Sequence, residues 1–225
     1  MNRTMFNERV LKLLWDSLWP LLSKGLTVTI PLTLASFTLG LALAMVTAFV
    51  QVARVPVLRR IARFYIWVFR GTPMIVQLFI VFYGLPGLGL TLDAIPSAIV
   101  VFSLNTGAYA AETVRAAIES VPVGQFEAGY MVGMSYLQIM ARVVLPQAMR
   151  TAFPPLFNTL IGLVKDTSLA ANITVVEMFR AAQVIAARTY DVFAMYCEVA
   201  LLYLLFCTFL TWVQHVCERK LEAGR

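Results

Sequence analysis

Charge is scarce in this chain. Only 13% of its 225 residues are Asp, Glu, Lys or Arg, while 60% are hydrophobic, a balance too apolar for a soluble domain of this length. It points to an integral membrane protein. Histidine is nearly absent: His215 stands alone near the end of the last apolar run, beside basic residues, so neither a metal centre nor a general base is expected. Cys197, Cys207 and Cys217 are spaced ten residues apart, and at about 100° per residue each turns away from the one before. They read as soft packing residues, with no metal site and no disulfide framework. No Gly-rich stretch ends in Gly-Lys-Ser or Gly-Lys-Thr, so the chain is not expected to bind ATP itself. The formal charge of +6 comes from short basic groups beside apolar runs, which suits membrane orientation and not nucleic-acid binding. Glu8, Lys12 and Asp16 precede any sustained apolar run. A cleavable signal peptide is therefore not expected after Met1-Asn2-Arg3-Thr4, and the first span serves as an uncleaved insertion signal.

The apolar runs define the organisation. Residues 5 to 24 read as an external interfacial segment, with Phe6, Val10, Leu13, Leu14, Trp15, Leu18 and Trp19 among charges and a stop at Pro20. From Leu26 to Val52 no charge occurs, enough for one span, since about 20 residues cross the hydrocarbon. Arg54, Arg59, Arg60 and Arg63 then mark a cytosolic loop. A second span over residues 64–83 is interrupted by Arg70-Gly71-Thr72-Pro73, and the loop 84–96 holds Asp93 but no Lys or Arg, placing it outside. Further spans are read over 97–118, 152–164 with a polar extension, and 192–213, with an outer amphipathic segment at 172–191 carrying Glu177 and Arg180 at helical spacing.

The expected fold is all-α and integral to the membrane, with five transmembrane helices, N-terminus outside and C-terminus inside. Its parts are an external segment 1–24, a transmembrane body 25–216 that includes a cytosolic loop 120–147, and a tail 217–225. The inner side then receives Arg54, Arg59, Arg60, Arg63, Arg115, Arg142, Arg150, Arg219, Lys220 and Arg225. The outer side receives Arg3, Arg9, Lys12, Lys24, Lys165, Arg180 and Arg188, with Arg70 inside a span.

Between the third and fourth spans lies a polar island running from Gln125-Phe126-Glu127-Ala128-Gly129 to Leu145-Pro146. Gly133 is suited to close one helix in the left-handed conformation, and Ser135 with Gln138 has the form of a capping box opening the next. In that second helix Tyr136, Ile139, Met140, Val143 and Val144 share one face, with Gln138 and Arg142 on the other.

Polar residues within spans are costly and point to a pathway. Asn105, Tyr109 and Glu112 form one stripe of the third span. Two readings stand for Glu112, a local pair with Arg115 and a pathway or gating role; for Asn105, helix-to-helix hydrogen bonding stands beside it. Arg70 and Gln77, seven residues apart, share a face of the second span, and Arg70 lies near enough to its end to snorkel. Lys165-Asp166-Thr167-Ser168 is the densest polar patch. Its Lys and Asp either pair with each other or meet the carboxylate and ammonium of an amino acid.

Glu127-Ala128, Gly133 and Leu145-Pro146 together resemble the EAA loop of the membrane subunits of ABC importers, with Gly129 in place of the family's second Ala. Phe69-Arg70-Gly71-Thr72-Pro73, Leu104-Asn105-Thr106 with Ala110-Ala111-Glu112-Thr113, and Leu163-Val164-Lys165-Asp166-Thr167-Ser168-Leu169 look like the polar-amino-acid branch: the histidine, glutamine, arginine and cystine importers. Leu85 to Pro96 and Ala110-Glu112 look most like cystine-type members. The resemblance covers residues 20–215 and implies a five-helix subunit of the type I importer kind in the bacterial inner membrane. It also implies a dimer with a like or sister permease, two ABC ATPase subunits beneath it and an external or periplasmic substrate-binding protein. Surrounding membrane lipid is the remaining partner.

On this resemblance the chain is not an enzyme and binds no cofactor, ATP and Mg belonging to the partner ATPase. ATPase coupling is carried onto Glu127, Ala128, Gly129, Gly133, Met134, Leu145 and Pro146. A ligand site near mid-membrane is carried onto Lys165, Asp166, Thr167 and Ser168, and beside them Asn105, Tyr109, Glu112, Arg70 and Gln77. Two other classes remain beside it: an ion-coupled secondary transporter, which commonly shows two related halves, and a membrane protease using Ser168 with Lys165.

Overall fold

With few charges to interrupt them, the apolar runs become long helices. The computed structural model describes the backbone of residues 3–52 and 55–223 and the side chains of residues 8–52 and 55–221. Arg54 and Arg225, counted above with the inner-side basic residues, lie outside the described residues, as do Met1, Asn2 and the side chains of Arg3 and Phe6. Among the described residues every regular element is helical: α1 (Arg3–Lys24), α2 (Ile30–Val52), α3 (Pro56–Gly71), α4 (Met74–Phe79), α5 (Ala94–Glu119), α6 (Val123–Met131), α7 (Tyr136–Ile139), α8 (Leu145–Asp166), α9 (Met178–Thr189) and α10 (Val192–Ala223). Three helical stretches are long and apolar enough to cross a bilayer: Glu8–Val52, Ala94–Glu119 and Val192–Leu221. Two bent pairs, Pro56–Gly71 with Met74–Leu88 and Tyr136–Ile173 with Met178–Thr189, bring the number to five if each is one span.

The first helix corrects an expectation. Pro20 does not stop it; the chain stays helical from Glu8 to Val52. A proline inside a helix forfeits one hydrogen bond and costs about 3 kcal/mol. Here that is outweighed by packing: Leu21, one residue on, is fully buried against Met178, Ala182, Val199 and Leu202. Tertiary burial overrides the local signal.

The break in the second span is sharper than its sequence implied. Thr72 is extended (φ −123°, ψ 145°) because Pro73 excludes it from the helical region, and the chain bends by 105° there. Arg70 closes α3 and Gln77 lies in α4, so the expected common face of these two residues does not exist.

Three prolines share one device. Ile30, Leu85 and Leu145 each bond the carbonyl five residues back, on Gly25, Ile80 and Met140, and each is followed at once by a proline, Pro31, Pro86 and Pro146. A proline ring clashes with the carbonyl four residues before it. The wider i→i+5 turn moves that carbonyl aside, so α-helix continues past Pro31 and Pro146, while Pro86 enters a short 3₁₀ turn, Leu85–Leu88.

By contacts the chain divides into two compact units, Met1–Ser36 with Ile75–Val101 and Ile161–Trp212, and Phe37–Met74 with Phe102–Leu160 and Val213–Arg225. In the first, Glu177 is fully buried. It does not pair with the Arg180 side chain as the spacing implied; it accepts the backbone N–H groups of Phe179 (2.7 Å) and Arg180 (2.6 Å), capping α9, and the Tyr203 hydroxyl (2.8 Å) from α10. Ser17 on α1 donates to Glu198 on α10 at 2.6 Å.

The core of the second unit is built largely of alanine: Ala44 and Ala48 on α2, Ala108, Ala110, Ala111 and Ala117 on α5, Ala148 and Ala152 on α8. Small residues let helix backbones approach where lipid offers no hydrophobic drive. At Gly107 the approach is close, since a Cβ there falls 2.7 Å from the Tyr65 hydroxyl and 3.2 Å from the Gly40 carbonyl oxygen. Gly162, on α8, has nothing within 4 Å of the same position. Gly107→Val is therefore expected to destabilise the fold by about 1–3 kcal/mol and Gly162→Ala to be neutral or stabilising by under about 1 kcal/mol, read from thermal unfolding of the purified protein in detergent.

Candidate functional site

The polar island folds as an elbow whose geometry is set locally. Helix α6 ends where Gly133 adopts φ +79°, a conformation glycine reaches without strain. Its N–H bonds the Tyr130 carbonyl and the Met134 N–H bonds the Gly129 carbonyl, both at 3.0 Å, which is the Schellman arrangement. Ser135 then opens α7 with the reciprocal pair expected of it. Its N–H donates to Gln138 Oε1 at 2.8 Å, and its hydroxyl accepts the Gln138 N–H at 3.4 Å. From Tyr136 the helical path continues through the wide turn at Met140–Val144 into α8 and on to Ile173.

Packing holds the two arms of the elbow together. Ile139, Met140 and Val144 are buried in the second unit's core, with Phe126, Met134, Val143 and Leu145 against them. Gly129 is buried beneath Ile139; a Cβ on residue 129 falls 2.6 Å from Ile139 Cγ1 and 2.9 Å from Cδ1. Glycine at this position is thus matched to the branched side chain above it. The rings of Phe126 and Tyr136 stack at 6.3 Å.

Outward, the elbow presents Glu127 and Ala128 together with a cap of apolar side chains: Met131 is 88% exposed, Val132 76% and Leu137 76%. These three did not emerge from the sequence: Leu137 stands three residues before Met140 and seven before Val144, so spacing alone places it with the buried stripe, and Met131 and Val132 lie before the Gly133 turn.

A second cluster joins α2, α3 and α5 within the same unit. Glu112 accepts from Arg115 (2.8 and 3.3 Å) and from Gln51 (3.2 Å), and Arg70 approaches it to 3.8 Å. The Arg70 guanidinium also lies 5.2 Å from the centre of the Tyr109 ring, and Asn105 donates to the Phe69 carbonyl at 3.2 Å. Four of the sequence-selected residues, Arg70, Asn105, Tyr109 and Glu112, are therefore gathered in one place. The local Glu112–Arg115 pair is real but is one contact of several. Asn105 bridges helices, the role its depth implied.

The remaining residues lie in the first unit. Gln77 is buried on α4. Asp166 ends α8, and Thr167–Ile173 follow as a tight 3₁₀ turn. Thr167 is buried with its hydroxyl on the Val164 carbonyl (2.6 Å), and the Ser168 hydroxyl bonds the Lys165 carbonyl (2.7 Å). Among the described residues no ion pair within 4 Å joins Lys165 to Asp166. Lys165 and Ser168 line a cavity of about 620 Å³ walled by Phe179, Tyr196, Tyr203 and Cys207. Asp166 and Thr167 are not on that wall.

Residues 12–223 match the family of binding-protein-dependent transport system inner membrane components. The chain belongs to this family of transport permeases. This permease is 51% identical over 213 residues to the L-cystine transport system permease protein TcyB of Bacillus subtilis (strain 168), covering 92% of this chain and 91% of the relative. It is 35% identical over 206 residues to the arginine transport system permease protein ArtQ of the same organism, covering 91% and 94%. Among solved structures it resembles one described as an amino acid ABC transporter with histidines, with a TM-score of 0.84, 31% identity and coverage of 89% of this chain and 94% of that one. The permease is a non-catalytic subunit, and ATP hydrolysis belongs to a partner ATPase.

The fit between residues 129 and 139 is testable. Gly129→Ala is expected to destabilise the permease by about 1–3 kcal/mol in the native background. In an Ile139→Ala background the same change falls to within about 0.5 kcal/mol, because the colliding atoms are gone. Detergent-titrated unfolding of the four proteins of this cycle measures the difference.

Proposed function

We propose that this permease carries cystine, as the membrane-spanning subunit of an ATP-driven amino-acid importer. The observation that supports cystine is the 51% identity to an L-cystine permease over nearly the whole of both chains. In this reading the permease sits in the bacterial inner membrane, N-terminus outside and C-terminus inside, paired with a second copy or a sister subunit. Two ABC ATPase subunits lie on its inner face, a binding protein delivers substrate from outside, and the permease itself holds no cofactor.

The elbow is the coupling element. Its exposed apolar cap, Met131, Val132 and Leu137, suits a groove on the ATPase. Glu127, exposed and without an ion pair among the described residues, is free to meet a cation of that partner. The Schellman turn and capping box give Gly133, Met134 and Ser135 a defined geometry, so a push on the cap displaces the arm as a body. Helical backbone continues from Tyr136 through the wide turn before Pro146 to Ile173, so the elbow and Lys165–Ser168 belong to one continuous stretch of chain. The Glu112 cluster, made by residues of α2, α3 and α5, is the contact set that must rearrange when those helices move.

Cystine bears two carboxylates, two ammonium groups and a disulfide. In this reading Lys165 meets a carboxylate and the aromatic side chains of Phe179, Tyr196 and Tyr203 meet the sulfurs; Asp166, which is off the wall of that cavity, meets an ammonium only if the polar turn rearranges around the substrate.

In vesicles reconstituted with its ATPase and binding protein, the permease is expected to take up labelled cystine only with ATP. Uptake driven by an ion gradient alone would instead support a secondary transporter. Glu127→Ala and Gly133→Leu are expected to leave the amount of permease in the membrane unchanged and to lower uptake per ATP hydrolysed at least about tenfold; normal coupling in both would contradict the role of the elbow. Asp166→Lys is expected to reduce cystine uptake to a similar degree while basal ATP hydrolysis persists, and unchanged transport would remove Asp166 from the site.

A further inference from the structure

On the side of Glu112 towards the start of α3 is a cavity of about 320 Å³, lined by Gln51, Arg59, Arg63, Trp67, Glu112 and Arg115 among others. Its charge is unbalanced. Three guanidinium groups face one carboxylate, and both oxygens of that carboxylate are already engaged by Arg115, Gln51 and Arg70. Arg115 has a second partner in Glu119. Arg59 and Arg63 have no carboxylate within 4 Å among the described residues, and Arg59 Nε is buried with no hydrogen-bond partner. A buried guanidinium N–H left unmatched is unfavourable by about 1–3 kcal/mol. The cavity thus carries excess positive charge that an entering anion would balance.

The neighbouring surface indicates which anion. On α3, Trp67 on the cavity wall is 70% exposed and Phe64 63%, with their rings 5.9 Å apart. A soluble anion has no use for such a strip, whereas the acyl chains of a phospholipid do, and Trp67 is a residue type favoured at headgroup depth. A zwitterionic headgroup would bring an ammonium group for which no free carboxylate is at hand. Basic pockets between membrane helices are a recurrent means of holding anionic headgroups.

We propose that this cavity binds the phosphate of a phospholipid with net negative charge, such as phosphatidylglycerol, through Arg59 and Arg63, with the acyl chains along Trp67 and Phe64. The site is separate from Lys165–Ser168 and does not depend on what the permease carries.

The test uses the full chain, purified in its assembled state, and native mass spectrometry with phosphatidylglycerol and phosphatidylcholine of matched acyl chains. The wild type is expected to prefer phosphatidylglycerol by roughly twenty-five-fold, two arginines each contributing about a factor of five. The Arg59→Gln/Arg63→Gln double variant is expected to bind both lipids nearly equally. Arg60→Gln, at an exposed position off the cavity wall, and the charge-keeping Arg59→Lys/Arg63→Lys variant are expected to retain most of the preference. An unchanged preference in the Gln double variant, or none in the wild type, would overturn the assignment. So would displacement of the lipid by excess inorganic phosphate, which would make the ligand a soluble anion. The wild-type preference and the phosphate competition need no variant, so they decide the matter even if the Gln double variant fails to fold.

Discussion

In lipid a backbone amide has no water to turn to, and most of this chain follows from that constraint. Every regular element among the described residues is helical, and hydroxyl side chains satisfy themselves on carbonyls three or four residues back, as Thr33 does on Thr29 (2.8 Å) and Thr211 on Cys207 (2.9 Å). Proline, which removes a donor, is met in several ways. At Pro31, Pro86 and Pro146 a widened turn precedes the ring; Pro20, Pro154 and Pro155 are held inside α1 and α8; at Pro73 the helix stops and the chain turns sharply. The difference places the bend of the second span beside Arg70 and keeps the elbow in one helical path with Lys165.

That continuity gives the permease a mechanical logic. The elbow is made rigid by short-range chemistry, the left-handed Gly133, the Ser135–Gln138 box and the fit of Ile139 over Gly129. Its outer surface is left apolar and unsatisfied. In the proposed coupling role a rigid arm with an exposed apolar cap passes on a neighbour's displacement, whereas a compliant arm would absorb it. The Glu112 cluster differs in kind: charge-assisted bonds from three helices meet on one carboxylate, so moving any one helix breaks contacts that the others share.

The elbow was legible in the sequence because its determinants are local. A glycine that must adopt positive φ, and a serine and glutamine three residues apart that bond each other's backbone, need no knowledge of the rest of the fold. The gathering of Asn105, Tyr109 and Glu112 was legible for a similar reason, being one stripe of one helix. What escaped was decided at long range. Pro20 and the charges at Glu8, Lys12 and Asp16 read as an interrupted interfacial segment, and only the burial of Leu21 against α9 and α10 shows why the helix persists. Arg70 and Gln77 stand seven apart, yet the bend at Thr72-Pro73 puts them on different helices. The exposed cap at Met131, Val132 and Leu137 escaped because exposure depends on which side of the arm the core takes. The unmatched Arg59 escaped because a lack of partners cannot be counted until every neighbour is in place.

The most direct measurement of the coupling role of the elbow is photo-crosslinking from a benzoylphenylalanine placed at Leu137 in membranes containing the assembled transporter. The expected result is a covalent adduct with the ATPase subunit, formed from the cytoplasmic side and altered by nucleotide. Labelling of residue 137 from the external face, or adducts with lipid alone, would contradict it.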